Sequence, residues 1–216
     1  RLSRSREEHE RLENMLNFER ILWRAGIDRI AGVDEVGLGS MAGPVVAAAV
    51  VVPPETFIEG VDDSKRLEGH KRELLDAKIR RLASSVSVGV VEPLEIDRLN
   101  IFNAGILAMR MAVLGLDEPP HHILVDGRVL PELQQPQNSF KKGDGLNFSI
   151  ACASIVAKVY RDRIMVEMDR VYPGYSFTEN KGYCTWWRLR CAFLRVCYKF
   201  NDPFHILCLQ KCKIVI

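Results

Sequence analysis

The chain has 216 residues, of which 47% are hydrophobic and 27% charged, and its formal net charge is +2. A chain of this length and composition can bury one sizeable core, which excludes a disordered or fibrous protein. No apolar run approaches the roughly 18 residues of a membrane span, and the opening RLSRSREEHE lacks the apolar stretch of a signal peptide. We therefore expect a cytoplasmic protein with no membrane partner.

The positive charge is concentrated at the end of the chain. Residues 31–185 carry 17 Lys or Arg against 21 Asp or Glu, whereas residues 186–216 carry 6 against 1. Five of the six cysteines lie within the last 33 residues, from Cys184 onward. Their spacing matches no paired C-x-x-C zinc site. Net charge therefore does not predict nucleic-acid binding, and an argument for it must rest on individual residues.

Hydrophobic periodicity and Gly or Pro breaks predict alternating helices and strands. In chain order we expect a helix over 5–25, strands over 30–33 and 44–52, a helix over 71–82, a strand over 85–91, a helix over 97–116, strands over 121–125 and 139–142, and a helix over 148–171. This order predicts an α/β fold with a mixed sheet flanked by helices.

Two adjacent carboxylates, Asp34 and Glu35, follow the first predicted strand. Successive strand residues point to opposite faces, so two acids that share one site must lie where the strand twists into a turn. A divalent cation is the natural partner for carboxylates at the tip of a buried strand. The alternative is a turn-capping Asp followed by a solvated Glu, and these two residues alone leave both interpretations open.

Two further acids are expected at the same edge of the sheet. Asp126 ends the predicted strand 121–125, and Asp144 lies in the loop that follows the next strand. Strand ends in open α/β sheets meet at one edge, where ligands bind. Oxygen-only ligands favour Mg²⁺ or Mn²⁺ over zinc, and two such ions about 3.5–4 Å apart could drive phosphodiester hydrolysis. Asp162 is a competing acid, but it lies inside a helix between two arginines, so we interpret it as mainly structural.

Several strings, in this order, resemble the motifs of bacterial ribonuclease HII, the type 2 ribonuclease H. They are GVDEVGLGSMAGPVVAAAV from residue 32, DSKRL from 63, VDG from 125, KGD from 142, SIACASIVAKVYRDR from 149, YPGY from 172 and KGYCT from 181. The resemblance covers roughly residues 10–185. It implies a ribonuclease H-like mixed sheet, with one catalytic domain over residues 1–185.

The resemblance also implies an activity and a cofactor. The family cuts the RNA strand of RNA–DNA hybrids and ribonucleotides embedded in duplex DNA, leaving a 5′-phosphate and a 3′-hydroxyl. Its metal-binding acids correspond here to Asp34, Glu35, Asp126 and Asp144, which implies Mg²⁺ or Mn²⁺. The expected partner is such a hybrid or duplex, bound by a monomer. A catalytically impaired hybrid-binding relic and a two-metal nuclease acting on DNA are the alternatives.

The substrate contacts implied by the resemblance are Gly37, Leu38, Gly39, Ser64, Lys65, Lys158, Lys181 and Tyr183. Backbone groups of the turn at 37–39 can recognise a 2′-OH, which is both donor and acceptor. Hydroxyl and ammonium groups suit phosphate contacts, which position a duplex without reading its sequence. Tyr183 resembles the tyrosine that stacks on a sugar at the RNA–DNA junction.

The chain departs from the family pattern at two places. The family has G-R-G where this chain has Leu38 in the middle, so a cation that would meet the substrate backbone is missing. After Thr185 the family continues with a polar helix and a basic segment containing His, whereas residues 186–216 form a divergent tail. This tail is either a packed or surface helix or, as we hypothesise, sequence read out of frame. Comparing the three reading frames of the gene beyond Thr185 tests this.

Overall fold

The computed structural model describes residues 2–183, with side chains from residue 6 onward. The divergent tail at 186–216 lies outside the described residues. Within residues 2–183, every helix is too short or too polar to cross a membrane. The fold below concerns this part of the chain.

The predicted helices and strands occur in the predicted order, and a short helix over Phe177–Asn180 was not predicted. The elements are α1 (Leu2–Met15), α2 (Asn17–Arg24), β1 (Ile30–Val36), β2 (Val45–Val51), α3 (Gly69–Leu82), β3 (Ser85–Val91), α4 (Pro93–Leu99), α5 (Ile101–Leu114), β4 (His122–Asp126), β5 (Gln137–Phe140), α6 (Phe148–Val171) and α7 (Phe177–Asn180). The strands form one mixed sheet in the order β3-β2-β1-β4-β5, in which β1, β4 and β5 run parallel and the β1–β2 and β2–β3 pairs are antiparallel. The predicted mixed sheet flanked by helices is confirmed.

Helices cover both faces of the sheet, so its central strands are buried. All seven residues of β2 are buried, which explains its unbroken apolar sequence VVAAAVV. Residues of α1, α3 and α6 pack on one face, and residues of α4 and α5 pack on the other. A Cβ atom added at Gly32 of β1 would lie 2.1 Å from the backbone carbon of Ser149. Glycine at this position therefore lets the start of α6 lie directly on β1.

Two predicted helices are each divided in two. The helix predicted over 5–25 is interrupted at Leu16, whose φ of −84° and ψ of −4° fall between α1 and α2. The helix predicted over 97–116 is interrupted at Asn100, which has a φ of 72°. The Asn100 side chain accepts a hydrogen bond from the Asn103 N–H at 3.0 Å. Asparagine tolerates positive φ and caps helices well, so it ends α4 and begins α5.

Strand ends also differ from those predicted. Strand β1 continues to Val36, which pairs with Val46 of β2, so Asp34 and Glu35 lie within the strand rather than in the turn after it. Strand β5 covers Gln137–Phe140 instead of 139–142. Pairing with a neighbouring strand, which the local sequence does not specify, extends or shifts both of them.

Glu19 of α2 is buried at the start of α6. Its Oε1 accepts a hydrogen bond from the Ser149 N–H at 2.9 Å, while Oε2 has no hydrogen-bond partner within residues 2–183. A carboxylate is favourable at a helix N-terminus, where N–H groups lack intrahelical partners. Burial nevertheless raises the pKa of Glu19, and the hydrogen bond from Ser149 only partly opposes this.

We expect Glu19→Gln to stabilise the protein at pH 8. Because the pKa of Glu19 is higher in the folded state than the unfolded value of 4.5, the folded protein binds more protons and loses stability as pH rises through this interval. Glutamine still accepts the Ser149 N–H but carries no buried charge, so the gain should be about 1 kcal/mol in the free energy of unfolding. Urea unfolding of both proteins at pH 5 and pH 8 measures it.

Glu8→Gln is the matched control, because Arg11 lowers the pKa of Glu8. Its carboxylate contributes stability above pH 4.5 that is lost as pH falls, so Glu8→Gln should lower stability at pH 8. A loss of stability in both variants at pH 8 would contradict this account of Glu19.

Candidate active site

The four predicted acids lie at one edge of the sheet. Strands β1 and β4 run parallel with Val33 opposite Val125, so the next residues of each strand, Asp34 and Asp126, follow at the same edge. Glu35 is adjacent on β1. Asp144 lies in a short 3₁₀ helix, Gly143–Gly145, directly after β5. Parallel register therefore gathers acids from distant parts of the chain.

Backbone N–H groups and one lysine contact these carboxylates. The Glu35 N–H donates to Asp34 Oδ1 at 2.8 Å, and the Gly143 N–H donates to Asp126 Oδ1 at 2.6 Å. The Lys65 ammonium lies 3.4 Å from Asp144 Oδ2. The loop that carries Asp144 is thus tied to the acid that ends β4, and a cation from a different loop faces it.

Burial and mutual repulsion raise the pKa values of the acids. Burial raises the pKa of Asp34 well above its usual range, and the charges of Glu35 and Asp126 add to this. Burial also raises the pKa of Glu35 to about 7, again with Asp126 contributing. The pKa of Asp144 is raised by burial, although Lys65 opposes the shift. Such a cluster is costly unless positive charge joins it.

The charges of the acids raise one another's pKa values, but their side chains do not converge on one position that a metal ion could occupy. Within residues 2–183, no three His, Cys, Asp or Glu side chains have the geometry of a metal site. Asp126 and Asp144 are instead directed towards Gly143 and Lys65. A carboxylate has about four acceptor positions, so one N–H donor leaves capacity for a cation. The four acids offer only carboxylate oxygen atoms, and their negative charges repel one another. Both properties suit a hard divalent cation.

The loop with Ser64 and Lys65 reaches the site from beside α6. Ser64 Oγ and Ser154 Oγ of α6 are both buried and share a hydrogen bond of 2.9 Å. Interaction with Ser154 also favours the ionised form of Asp34 and opposes the rise in its pKa. The side chain of Lys65 is 78% exposed. Ser64 therefore anchors the loop, whereas Lys65 extends into solvent next to Asp144.

The turn at 37–39 lies next to Tyr183. A Cβ atom added at Gly39 would lie 3.8 Å from Cε1 of the Tyr183 ring. Leu38 points elsewhere: its Cδ2 lies 2.9 Å from the position of an added Cβ at Gly105 of α5. Leu38 is 39% exposed and Tyr183 is 40% exposed. The structure therefore brings the turn and the aromatic ring together, with an apolar side chain at the centre of the turn.

The other predicted cations already have partners in the protein. Lys158 Nζ lies 2.6 Å from Asp162 Oδ1, and its side chain is only 15% exposed. Burial lowers the pKa of Lys158, with Asp162 opposing, and its Nζ lies 5.9 Å from the centroid of the Tyr183 ring. Lys181 Nζ donates to the Thr178 carbonyl at 2.7 Å. Asp162 also faces Arg72 at 3.5 Å, so its ion-pair partners are not the arginines beside it in sequence.

Sequence patterns did not single out Arg161. This residue is fully buried between the loop after β1 and the segment that carries Tyr183. Its only sequence signal is helical spacing, because Ser154, Lys158 and Arg161 recur on one face of α6. An arginine on the same face as two site residues, inside an Ala-rich helix, could have been recognised in this way.

Comparison with known proteins identifies a family. The family model described as Ribonuclease HII matches residues 31–201, which continues past Thr185. A ribonuclease HII of Myxococcus xanthus is 51% identical over 186 residues, covering 86% of this chain and 64% of the relative. One from Geobacillus thermodenitrificans is 49% identical over 182 residues, covering 84% and 70%. This chain therefore spans less than two thirds of the Myxococcus protein.

A solved structure extends the comparison to the fold. Ribonuclease H2 from Pyrococcus horikoshii OT3 superposes with a TM-score of 0.69 at 26% identity, covering 86% of this chain and 99% of that chain. The ribonuclease H-like fold predicted from the sequence is confirmed.

We expect Asp34→Asn to stabilise the protein in a chelating buffer at pH 8. The substitution keeps an oxygen that can accept the Glu35 N–H but removes one of several repelling charges. A gain of about 1 kcal/mol would raise the melting temperature by roughly 2–4 °C for a chain of this size. Thermal unfolding followed by circular dichroism measures it.

Asp162→Asn is the control with the opposite sign, because Asp162 lies between Lys158 and Arg72. Removing its charge leaves a mostly buried ammonium without its ion-pair partner and should lower the melting temperature. If Asp34→Asn is as destabilising as Asp162→Asn, the acids do not repel one another as described.

Proposed function

Because the chain belongs to the ribonuclease HII family, we propose that it is an endonuclease that hydrolyses the RNA strand of RNA–DNA hybrids and ribonucleotides embedded in duplex DNA. The observation that carries this proposal is the cluster of buried and partly buried acids beside a glycine turn and an exposed tyrosine. The acids suit phosphodiester hydrolysis, and the turn and ring suit recognition of ribose. All of these groups come from one chain, so a monomer would suffice.

The metal ligands in this proposal are Asp34, Glu35, Asp126 and Asp144, and the cofactor is Mg²⁺ or Mn²⁺. The bound cations would activate a water and stabilise the leaving oxygen of the phosphodiester. The chain's own groups orient the ligands: the Gly143 N–H donates to Asp126, and the Glu35 N–H donates to Asp34. Lys65, next to Asp144, carries the positive charge that faces an incoming phosphate.

Substrate recognition in this proposal is divided between the turn and Tyr183. Backbone groups of Gly37, Leu38 and Gly39 would contact the 2′-OH, since it is both donor and acceptor. The half-exposed ring of Tyr183 would stack on the neighbouring sugar. Ser64 anchors the loop from which Lys65 meets phosphate. Lys158 and Lys181 would contribute positive potential near the ring while keeping their protein partners.

The second candidate function, a hybrid-binding relic without useful turnover, is favoured by one observation. Leu38 places a half-exposed apolar side chain at the centre of the turn, where a cation would strengthen contact with the substrate backbone. A relic would bind ribonucleotide-containing duplexes without cutting them.

Cleavage of a DNA duplex containing one ribonucleotide tests the proposed function. With Mg²⁺ and then Mn²⁺, we expect a single cut that leaves a 5′-phosphate, and we expect Asp126→Asn to lower the rate at least 100-fold. Asp117→Asn is the control, because Asp117 accepts a hydrogen bond from Ser85 outside the site and its loss should leave the rate within twofold. Binding without cleavage would identify the relic, and equal cleavage of an all-deoxy duplex would identify a DNA nuclease.

A second experiment concerns Leu38. Because its side chain is half exposed at the turn, Leu38→Arg should add a phosphate contact, tighten binding, and steepen the salt dependence of log K by roughly one unit. Backbone recognition predicts unchanged selectivity for ribose over deoxyribose. Binding measured in Ca²⁺ across a salt series, on duplexes with and without the ribonucleotide, gives both quantities.

Leu114→Arg is the control for the added charge, since Leu114 is 66% exposed at the far end of α5. It should change neither affinity nor slope appreciably. If Leu38→Arg behaves like Leu114→Arg, Leu38 does not face the nucleic acid.

A further inference from the structure

The guanidinium of Arg161 is fully buried and joins two separate segments of the chain. Its Nε donates to the Pro44 carbonyl at 2.9 Å, and its Nη2 donates to Ser40 Oγ at 2.8 Å and to the Ala42 carbonyl at 3.0 Å. Its Nη1 donates to the Lys181 carbonyl at 2.8 Å. One side chain of α6 therefore holds both the loop after β1 and the segment that presents Tyr183.

The same two segments also contact one another through their backbones. The N–H groups of Met41 and Ala42 both donate to the Gly182 carbonyl, at 2.9 Å and 3.3 Å. Gly182 has a φ of +82°, and a Cβ atom there would lie 2.2 Å from the Ala42 carbonyl oxygen. Only glycine fits this close approach without strain, so the segments are packed as one unit.

Arg161 is linked to both recognition elements of that unit. On one side, Ser40 Oγ, which accepts from Arg161, itself donates to the Gly37 carbonyl at 2.8 Å. On the other side, the Arg161 Cζ lies 5.7 Å from the centroid of the Tyr183 ring, within the range of a cation–π contact. Arginine stays protonated at neutral pH, so this charge is permanent.

We propose that Arg161 is a positioning residue that sets the spacing between the 2′-OH-recognising turn and the sugar-stacking ring of Tyr183. The inference rests on the proposed function. It assigns a role in ribose selectivity to Arg161, which is fully buried and cannot itself touch the substrate. A turn and a ring that meet the same ribonucleotide must keep a fixed separation, because a displacement of about 1 Å weakens such combined recognition strongly. The rigid guanidinium of Arg161 is linked to both the turn and the Tyr183 ring.

Arginine is required here because of its shape. Its planar guanidinium presents five donors in a fixed fork, whereas a lysine ammonium is a single point at the end of a flexible chain. The Arg161 guanidinium makes four hydrogen bonds, whereas a lysine ammonium has three N–H donors and cannot replace all of them. Arg161→Lys therefore keeps the buried charge but removes the bridge.

The first measurement is hydrogen exchange on the 216-residue chain without substrate. Arg161→Lys should speed amide exchange in both 37–43 and 181–183 at least tenfold, and leave the loop 64–67 at its original rate. Ser40→Ala, which removes only the link to the Gly37 carbonyl, should produce a smaller change confined to 37–43. Unchanged exchange in either segment of Arg161→Lys overturns the bridging role.

The second measurement is ribose selectivity, taken as the ratio of affinities for matched duplexes with and without one ribonucleotide, in Ca²⁺. Arg161→Lys should lower this ratio about tenfold, and Ser40→Ala should lower it less. Ile79→Val, a core substitution in α3, is the control for lost stability and should leave the ratio unchanged. An unchanged ratio in Arg161→Lys, or an equal drop in Ile79→Val, overturns the proposal.

Failure of the proposed function and failure of the Arg161 inference give different results. A parent protein that shows neither cleavage nor ribose selectivity overturns the proposed function, and the selectivity role of Arg161 with it. A parent that is selective and active, with an Arg161→Lys variant that is equally selective, overturns the inference about Arg161 alone.

Discussion

Repulsion among carboxylates at one edge of a buried sheet is the constraint on which the rest of the site depends. Asp34 is nearly inaccessible to solvent, and its pKa is raised by burial and by its acidic neighbours. A structure that only maximised stability would not place these groups together. Tight packing of apolar residues on both faces of β1 and β2 offsets this cost and keeps the acids on rigid strands. Stability is thereby exchanged for a concentration of negative charge at this edge of the sheet.

Helix α6 connects the chemistry of the site to its recognition elements. Its first turn lies against Gly32 of β1, and Glu19 holds its N-terminus. Further along one face, Ser154 interacts with Asp34, Lys158 lies near the Tyr183 ring, and Arg161 holds both the loop after β1 and the segment that presents Tyr183. A single rigid element therefore fixes the distance from the acids to the turn and the ring, which loops alone could not do.

The net charge of residues 31–185 and the individual lysines near the candidate site contribute differently to nucleic-acid binding. Residues 31–185 carry more acidic than basic residues, so the domain as a whole does not attract a polyanion. Lys65 is mostly exposed beside Asp144, whereas Lys158 is mostly buried and paired with Asp162. Cations bound by the acids would reverse the local charge at the site. The proposed function, with the apolar Leu38 at the centre of the turn, would therefore rely on bound cations and on Lys65 for positive charge at the site.

The sequence by itself determined the order of most elements and the mixed sheet, and it predicted the four acids, because apolar periodicity and the spacing of the family motifs are local properties. It did not determine that β1 continues through Glu35, that Asn100 divides a helix, or that Arg161 bridges two distant segments. Those outcomes depend on pairing with β2, on a single positive φ, and on carbonyl groups of which those of Ala42 and Pro44 lie more than a hundred residues from Arg161 in the chain. Backbone carbonyls occur at every residue, so only tertiary structure could decide which of them a buried guanidinium would meet.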